Sequence, residues 1–386
     1  MGIYAEYLNM QLNFQDLTNE RKKQLQRISD LRKRDVLVFA ADLNKNAPIA
    51  IDYTDLLPLQ DQLHNLKGDK LDLIIETPGG SGEVSEDIVR LLRKRFEEVS
   101  IIVPGYAKSA GTIIAMSGDE ILMGEISALG PIDAQLVWQG KIFSADALLD
   151  GLEKIKKEVL KTDILNKTYI PILQGISPGE LQAAENAKKF AIKLVKEWLV
   201  EYKFKNWETH SSTGNSVTLS EKKKRAQKIA QALSRHGNWL THGKSLKIQD
   251  LTTLGLKITD YSQQKHLNDA ITRYFVLLQM TFQTNIYKIF ETTNSQVYRF
   301  ISPPVPSPTP LTPMQPGQNV AIIEITCNTC SKKSKIQAGL GETIQIQEGF
   351  FPFPKNNKFI CPDCKSEIDI SDARRQLEAQ SKKSVT

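Results

Sequence analysis

The stretch "KLDLIIETPGGSGEVSEDIVRLLRKRFEEVSIIVPGYAKSAGTIIAM", Lys70 to Met116, carries two β-type runs, one amphipathic run and two glycine-bearing turns. "KLDLIIET" (70–77) and "VSIIVPG" (99–105) are rich in Leu, Ile and Val and read as buried strands. Between them, "SEDIVRLLRKRFEE" (85–98) puts Ile88, Leu91, Leu92 and Phe96 on one helical face. Ser85 is placed to cap that helix, and Glu86 and Asp87 complement its dipole. Strand, helix and strand joined by short turns predict a βαβ unit with parallel strands.

Parallel strands release the chain at the same edge of the sheet, where sites in open α/β sheets form. Pro78-Gly79-Gly80 and the turn around Ser109 are therefore expected side by side. Glycines ahead of a helix can cradle a phosphate, but Gly79-Gly80-Ser81-Gly82 has neither the Gly-Lys-Ser/Thr of a P-loop nor a dinucleotide fingerprint. Acyl transfer needs a hydroxyl nucleophile and two N–H donors for the oxyanion. Ser109 with the amides of Gly80 and Ala110 supplies that set. The plain alternative is a small residue at a strand-to-helix turn. The spacing from Gly105 to Ser109 differs from the G-x-S-x-G elbow of α/β-hydrolases, so that fold is not supported.

With 386 residues, 40% of them hydrophobic, the chain can bury a sizeable core and more than one domain. The 50 Lys and Arg nearly balance 44 Asp and Glu, so the net charge of +6 permits an anionic partner without requiring one. The start "MGIYAEYLNMQLNF" lacks the pattern of a signal peptide, and no run approaches the roughly 18 apolar residues of a membrane span. A cytoplasmic protein without a transmembrane segment is the expectation.

Five regions are expected: an N-terminal helical arm (1–34), a main domain with a helical extension (35–300), a proline-rich linker (301–318), a cysteine-bearing module (319–372) and a polar tail (373–386). Residues 145–205 and 219–235 read as helical. "AITRYFVLLQMTFQTNIYKIFET" (270–292) reads as one long apolar helix for a core or subunit interface.

"ETPGGSGEVSEDIVRLLR" followed by "VPGYAKSAGTIIAMSGDEILMGEISALGPIDAQ" resembles the ClpP/crotonase fold, an α/β architecture with a parallel sheet and flanking helices. More closely, the chain resembles the serine dehydrogenase proteinases, relatives of signal peptide peptidase A and the Clp proteolytic subunit, over about 35–260. The resemblance implies a serine peptidase, with Ser109 as nucleophile and Gly80 and Ala110 as oxyanion donors. It also implies a protein or peptide substrate and a closed homo-oligomer.

The Clp subunit carries its histidine in the turn matching "SALGPIDAQ", where this chain has none. The signal-peptide-peptidase branch uses a downstream lysine, which would fall near Lys154 or Lys156, so a Ser-Lys mechanism is expected. His242, near the position of the third triad residue, is the other candidate. His64, His210, His236 and His266 receive no role. A crotonase-like acyl-CoA enzyme and a non-catalytic scaffold are the rival readings.

All four cysteines form two Cys-x2-Cys pairs, Cys327/Cys330 and Cys361/Cys364. Two such knuckles supply the four thiolates of a tetrahedral site, and the pattern resembles a zinc ribbon holding a structural Zn2+. Lys332, Lys333, Lys335, Lys355 and Lys358, with Phe350, Phe351 and Phe353, are candidates for contacting a protein or nucleic-acid partner.

Overall fold

The computed structural model describes residues 2–138, 140–210, 213–301, 319–327, 330 and 332–386. The chain divides into two units, Met1–Ile301 and Ser302–Thr386. The linker expected over 301–318 lies, from 302 onward, outside the described residues.

In the first unit, α1 (Ile3–Asn9) and α2 (Phe14–Arg32) precede β1 (Asp35–Ala41). Next come α3 (Leu56–Leu63), β2 (Lys70–Glu76), α4 (Gly82–Arg95), β3 (Glu98–Val103) and β4 (Tyr106–Ala107). They are followed by α5 (Ala110–Ala115), β5 (Glu120–Met123), β6 (Ala128–Leu129) and the hairpin of β7 (Gln135–Trp138) and β8 (Lys141–Ser144). A helical stretch follows: α6 (Ala145–Thr162), α7 (Ile170–Gln174), α8 (Pro178–Trp198), a π-helical turn (Leu199–Lys203), α9 (Leu219–Ser234), α10 (His236–Trp239) and α11 (Ile248–Thr253). The unit closes with β9 (Thr259–Asp260), α12 (Lys265–Phe282), β10 (Ile286–Thr292) and β11 (Gln296–Phe300).

Seven strands form one sheet in the order β11-β10-β1-β2-β3-β5-β9. From β1 to β9 all neighbours are parallel, and Lys70 and Ile74 of β2 stand opposite Glu98 and Ile102 of β3, as the βαβ reading requires. The strands are apolar on both faces because both are covered. Leu37, Leu73, Ile101 and Ile121 face α4, α8 and α9, whereas Val36, Ile74, Ile102 and Leu122 face α2 and α12. Each such fully buried Leu or Ile contributes about 1.5–3 kcal/mol.

Three expectations change. Helix α4 begins at Gly82 and is capped by Ser81, whose hydroxyl accepts from the Val84 amide at 3.1 Å, so Ser85 lies inside the helix. The run 270–292 is not one helix: α12 ends at Phe282 and Ile286–Thr292 forms β10, antiparallel to β1. Its β-branched and aromatic residues suit a strand, and the open edge of β1 decides between the two states. The N-terminal helical arm, expected as a region of its own, is part of the first unit. Leu25 and Ile28 of α2 are fully buried beside α12, and Arg21 meets Glu291 at 3.0 Å in the interior.

The second unit pairs β12 (Val320–Thr326) with β13 (Lys333–Gly339) in antiparallel fashion, and β14 (Phe351–Pro352) joins β13. A second hairpin, β15 (Lys358–Ile360) with β16 (Glu367–Asp369), leads into α13 (Ser371–Ser381). The expected polar tail belongs to this fold, for Leu377 and Val385 are buried with Ile336 and Phe359. No helix among the described residues is long and apolar enough to cross a membrane.

Candidate active site

The exits of β2 and β3 meet as expected. The Thr77 amide donates to Tyr106 O at 2.8 Å and the Lys108 amide to Thr77 O at 3.0 Å, stitching the two turns together. On its other side, the glycine turn pairs with Ile51, whose amide donates to Gly79 O at 2.8 Å. Gly79 has φ +104° and Gly80 φ +149°, conformations that glycine alone adopts freely. A Cβ on Gly79 would stand 2.6 Å from Ser109 Cβ, so its missing side chain is the room that Ser109 occupies.

Ser109 itself has φ 48° and ψ −115° at the entry of α5, an unfavourable region for a residue with a Cβ, held by the turn on both sides. Its hydroxyl makes no cap hydrogen bond to the helix. The Gly80 and Ala110 amides donate to nothing else among the described residues, while those of Gly79, Ser81 and Gly111 are engaged. Two free amides thus flank a half-buried hydroxyl.

The neighbouring chain brings the remaining groups. β6 runs parallel to β4, and Leu129 bridges Leu246 in antiparallel fashion, so 128–133 lies between the Ser109 turn and the segment after His242. Lys108 ties the three together by donating to Leu129 O at 3.1 Å, Lys244 O at 3.0 Å and Ser245 Oγ at 2.9 Å. Burial, with repulsion from Lys247 and Lys244, pushes its pKa down to about 8. Three acceptors match the three hydrogens of its ammonium form, which makes Lys108 a brace between these segments.

Asp133, fully buried, accepts from two histidines: His242 Nδ1 stands 2.7 Å from Oδ1 and His236 Nδ1 2.9 Å from Oδ2. Burial is the largest influence and raises the Asp133 pKa, but hydrogen bonds from His242 and His236 outweigh it and hold the carboxyl below its ordinary value. An ionised carboxylate only accepts, so His242 Nδ1 carries a proton and Nε2 of the neutral ring is the free base. Gln135 Nε2 donates to Asp133 Oδ2 at 3.0 Å and completes the carboxylate's shell. One residue further along, Leu136 opens an apolar cavity of about 510 Å³, also lined by Phe143, Leu148 and Ile176.

Lys154 and Lys156 are not brought to this cluster in a form suited to the expected role. Both are exposed on α6, and Lys156 faces Glu153 at 3.9 Å, so neither has the apolar burial that a neutral lysine base requires. Asp133, His236, Gln135 and Lys108 escaped the sequence reading. The available signal was an exchange: an acid stands in the turn searched for a histidine, and a histidine stands near the position searched for an acid.

A model of the family described as ClpP-like SDH-type serine proteinase matches residues 3–270. The chain belongs to this family. Two uncharacterized proteins of Methanocaldococcus jannaschii resemble this proteinase-family chain. One is 29% identical over 188 residues, covering 49% of this chain and 51% of the relative. The other is 33% identical over 133 residues, covering 33% of this chain and 46% of the relative. The chain spans about half the length of the curated relatives it matches. Among solved structures, a membrane-bound stomatin-specific protease in complex with a substrate peptide aligns with TM-score 0.30 and 16% identity, over 65% of this chain and 84% of that one. The catalytic domain of the ClpP protease from Plasmodium falciparum aligns with TM-score 0.23 and 13% identity, over 54% and 86%.

In the second unit the four sulfurs of Cys327, Cys330, Cys361 and Cys364 lie within 4.8 Å of one another, and none is in a disulfide. A tetrahedron with metal–sulfur bonds of about 2.3 Å separates its sulfurs by about 3.8 Å. The sulfurs of Cys327 and Cys364, at 3.4 Å, and of Cys330 and Cys361, at 3.7 Å, are close to that spacing, so the set fits a metal ion.

Proposed function

We propose that the protein is a serine endopeptidase that forms an acyl-enzyme on Ser109, with His242 as general base and Asp133 as its positioning residue. The observation that carries this reading is the Asp133–His242 hydrogen bond at the sheet edge where Ser109 emerges. Ser109 Oγ attacks the peptide carbonyl while its proton passes to His242 Nε2. Asp133 fixes the tautomer and stabilises the imidazolium. The Gly80 and Ala110 amides receive the oxyanion. His242 then returns the proton to the departing amine, and a water repeats the sequence on the ester. The exposure of Lys154 and Lys156 on α6 supports this relay over the expected Ser-Lys mechanism.

The apolar cavity beside Gln135 favours a peptide with a bulky hydrophobic side chain near the scissile bond. The reading extends to a cytoplasmic homo-oligomer whose assembly covers Val137 and Ile142 of the β7–β8 hairpin, 75% and 71% exposed. Four soft thiolates favour Zn2+ in the C-terminal unit, and four protein ligands leave no open position for catalysis, so the metal is structural. Lys332, Lys333 and Lys358 of that unit pair with Asp363, Glu324 and Glu367, which makes a protein partner a better fit than nucleic acid.

The test is labelling with a fluorophosphonate probe followed by peptide mapping. Modification at Ser109 that disappears in Ser109→Ala together with peptide hydrolysis supports the assignment. Modification at Ser81 or Ser117, or no modification of assembled protein, refutes it and favours the scaffold reading.

A further inference from the structure

A second cavity of about 670 Å³ lies at the opposite end of the sheet from Ser109. It is bounded by Asp119 and Glu120 at the start of β5, by Lys203, Trp207 and His210 after α8, by Arg225 of α9, and by Gly255 and Lys257 beyond α11. Glu120 stands opposite Ser100 near the beginning of β3, whereas Ser109 follows that strand's end, so the two sites are separate.

The charges around the cavity are unevenly satisfied. Asp119 is taken by Arg93 Nη1 at 2.7 Å and the Val99 amide at 2.8 Å. Glu120 is taken by Arg32 Nη2 at 2.8 Å and Thr259 Oγ1 at 2.6 Å, and His210 by Glu221 at 3.2 Å. The cations have little. Arg225 and Lys257 have no hydrogen bond or ion pair among the described residues, and Lys203 Nζ reaches only Asp119 O, at 3.5 Å.

Arg225 is nevertheless held in place. Its guanidinium lies 5.7 Å from the centre of the Trp207 ring, and it packs against Gly255, where φ is +92° and any Cβ would collide with it. Lys203 ends the π-helical turn Leu199–Lys203, a rare conformation that recurs at functional sites. Burial, the largest influence, lowers its pKa to about 8; Lys257 acts in the same direction, while Glu120 and Asp119 oppose it. A planar fork without a carboxylate, two ammonium groups and an indole around one hollow make a recognition set for an anion attached to a flat ring. The volume is that of a small-molecule site.

We propose that this cavity is a second ligand site that takes a small aromatic anion, its phosphate or carboxylate held by Arg225, Lys203 and Lys257 and its ring against Trp207. The test is calorimetric titration of the full chain with AMP and with 4-hydroxybenzoate, and with adenosine and inorganic phosphate as the separated halves. Saturable binding of AMP, tighter than that of adenosine or phosphate alone, or of 4-hydroxybenzoate is expected, with the stronger of the two anions naming the anionic group. Arg225→Gln and Lys203→Met should each weaken it about tenfold or more, the loss of a charged hydrogen bond. Affinity should fall as pH rises through about 8, where Lys203 loses its proton. Ser109→Ala should bind as tightly as the wild type, which separates this result from any failure of the peptidase reading. Absence of saturable binding by both anions overturns the proposal, as does unchanged affinity in both charge variants with native circular dichroism.

Discussion

His242 presents Nδ1 to Asp133 Oδ1 at 2.7 Å, from a segment 109 residues further along the chain. The contact is assembled by β6, which lies against the Ser109 turn on one side and against Leu246 on the other. Because Asp133 also binds His236, its carboxylate is anchored before any substrate arrives.

This pairing makes the identity of the base testable. His242→Ala and Asp133→Asn should each lower kcat/KM for a peptide by about 10³–10⁴. Lys154→Met and Lys156→Met should leave it within about twofold. A histidine base gives a rate that levels off below the range in which exposed lysines lose their protons, and Asp133, held below its usual range, adds no second limb there. A rate still climbing above pH 9, together with loss of activity in a lysine variant, would restore the Ser-Lys mechanism.

The backbone at Ser109 stores strain that a glycine would release. Ser109→Gly and Ser109→Ala both lack the hydroxyl, yet only alanine must sustain φ 48° with a Cβ. Chemical denaturation should find Ser109→Gly the more stable of the two by about 1 kcal/mol, after the entropic cost of glycine is subtracted. Equal stability would mean that the turn relaxes without its hydroxyl.

Glu76, at the end of β2, is buried with no cation paired to it among the described residues, and burial pushes its pKa up to about 8 against the pull of the Tyr106 and Gly105 amides. The folded state therefore keeps a proton that the unfolded chain gives up near pH 4.5, so stability falls as pH rises from there to about 8 and is flat beyond. Glu76→Gln keeps the acceptor for both amides and removes the ionisation. It should exceed the wild type by on the order of 4 kcal/mol at pH 8.5 and match it at pH 4. Parallel stability–pH curves for the two proteins would show that Glu76 is ionised in the fold.

The cysteine unit should carry one Zn2+ per chain when purified reduced and without chelator. Its core, around Ile336 and Leu377, is small, so metal binding is a large share of its folding energy. Cys361→Ser or strong chelation should release the metal and open residues 319–386 to protease, while the melting transition of the first unit stays in place. Metal content well below one equivalent, with the unit still protease-resistant, would count against a metal-supported fold.

Periodicity and turn chemistry are local properties, and what they dictate was legible in the sequence. The run of Leu and Ile in 70–76, the spacing from Ile88 to Leu92 and the glycines before Gly82 specified strand, helix and turn. The parallel pairing that puts Gly79 against Ser109 followed from them. The four cysteines carry their ligand geometry in their spacing. Tertiary contact alone decided the rest. Whether 286–292 is helix or strand depended on the open edge of β1. Whether α2 is an arm or a core helix depended on a sheet face that needed covering. The preference for His242 in the proposed relay rests on packing: Lys154 and Lys156 sit in a favourable sequence window but are exposed, while Asp133 and His242, far apart in the chain, share a hydrogen bond. A proton relay is set by ångström-scale separation and by desolvation, and both are properties of the packed molecule that no local pattern of residues encodes.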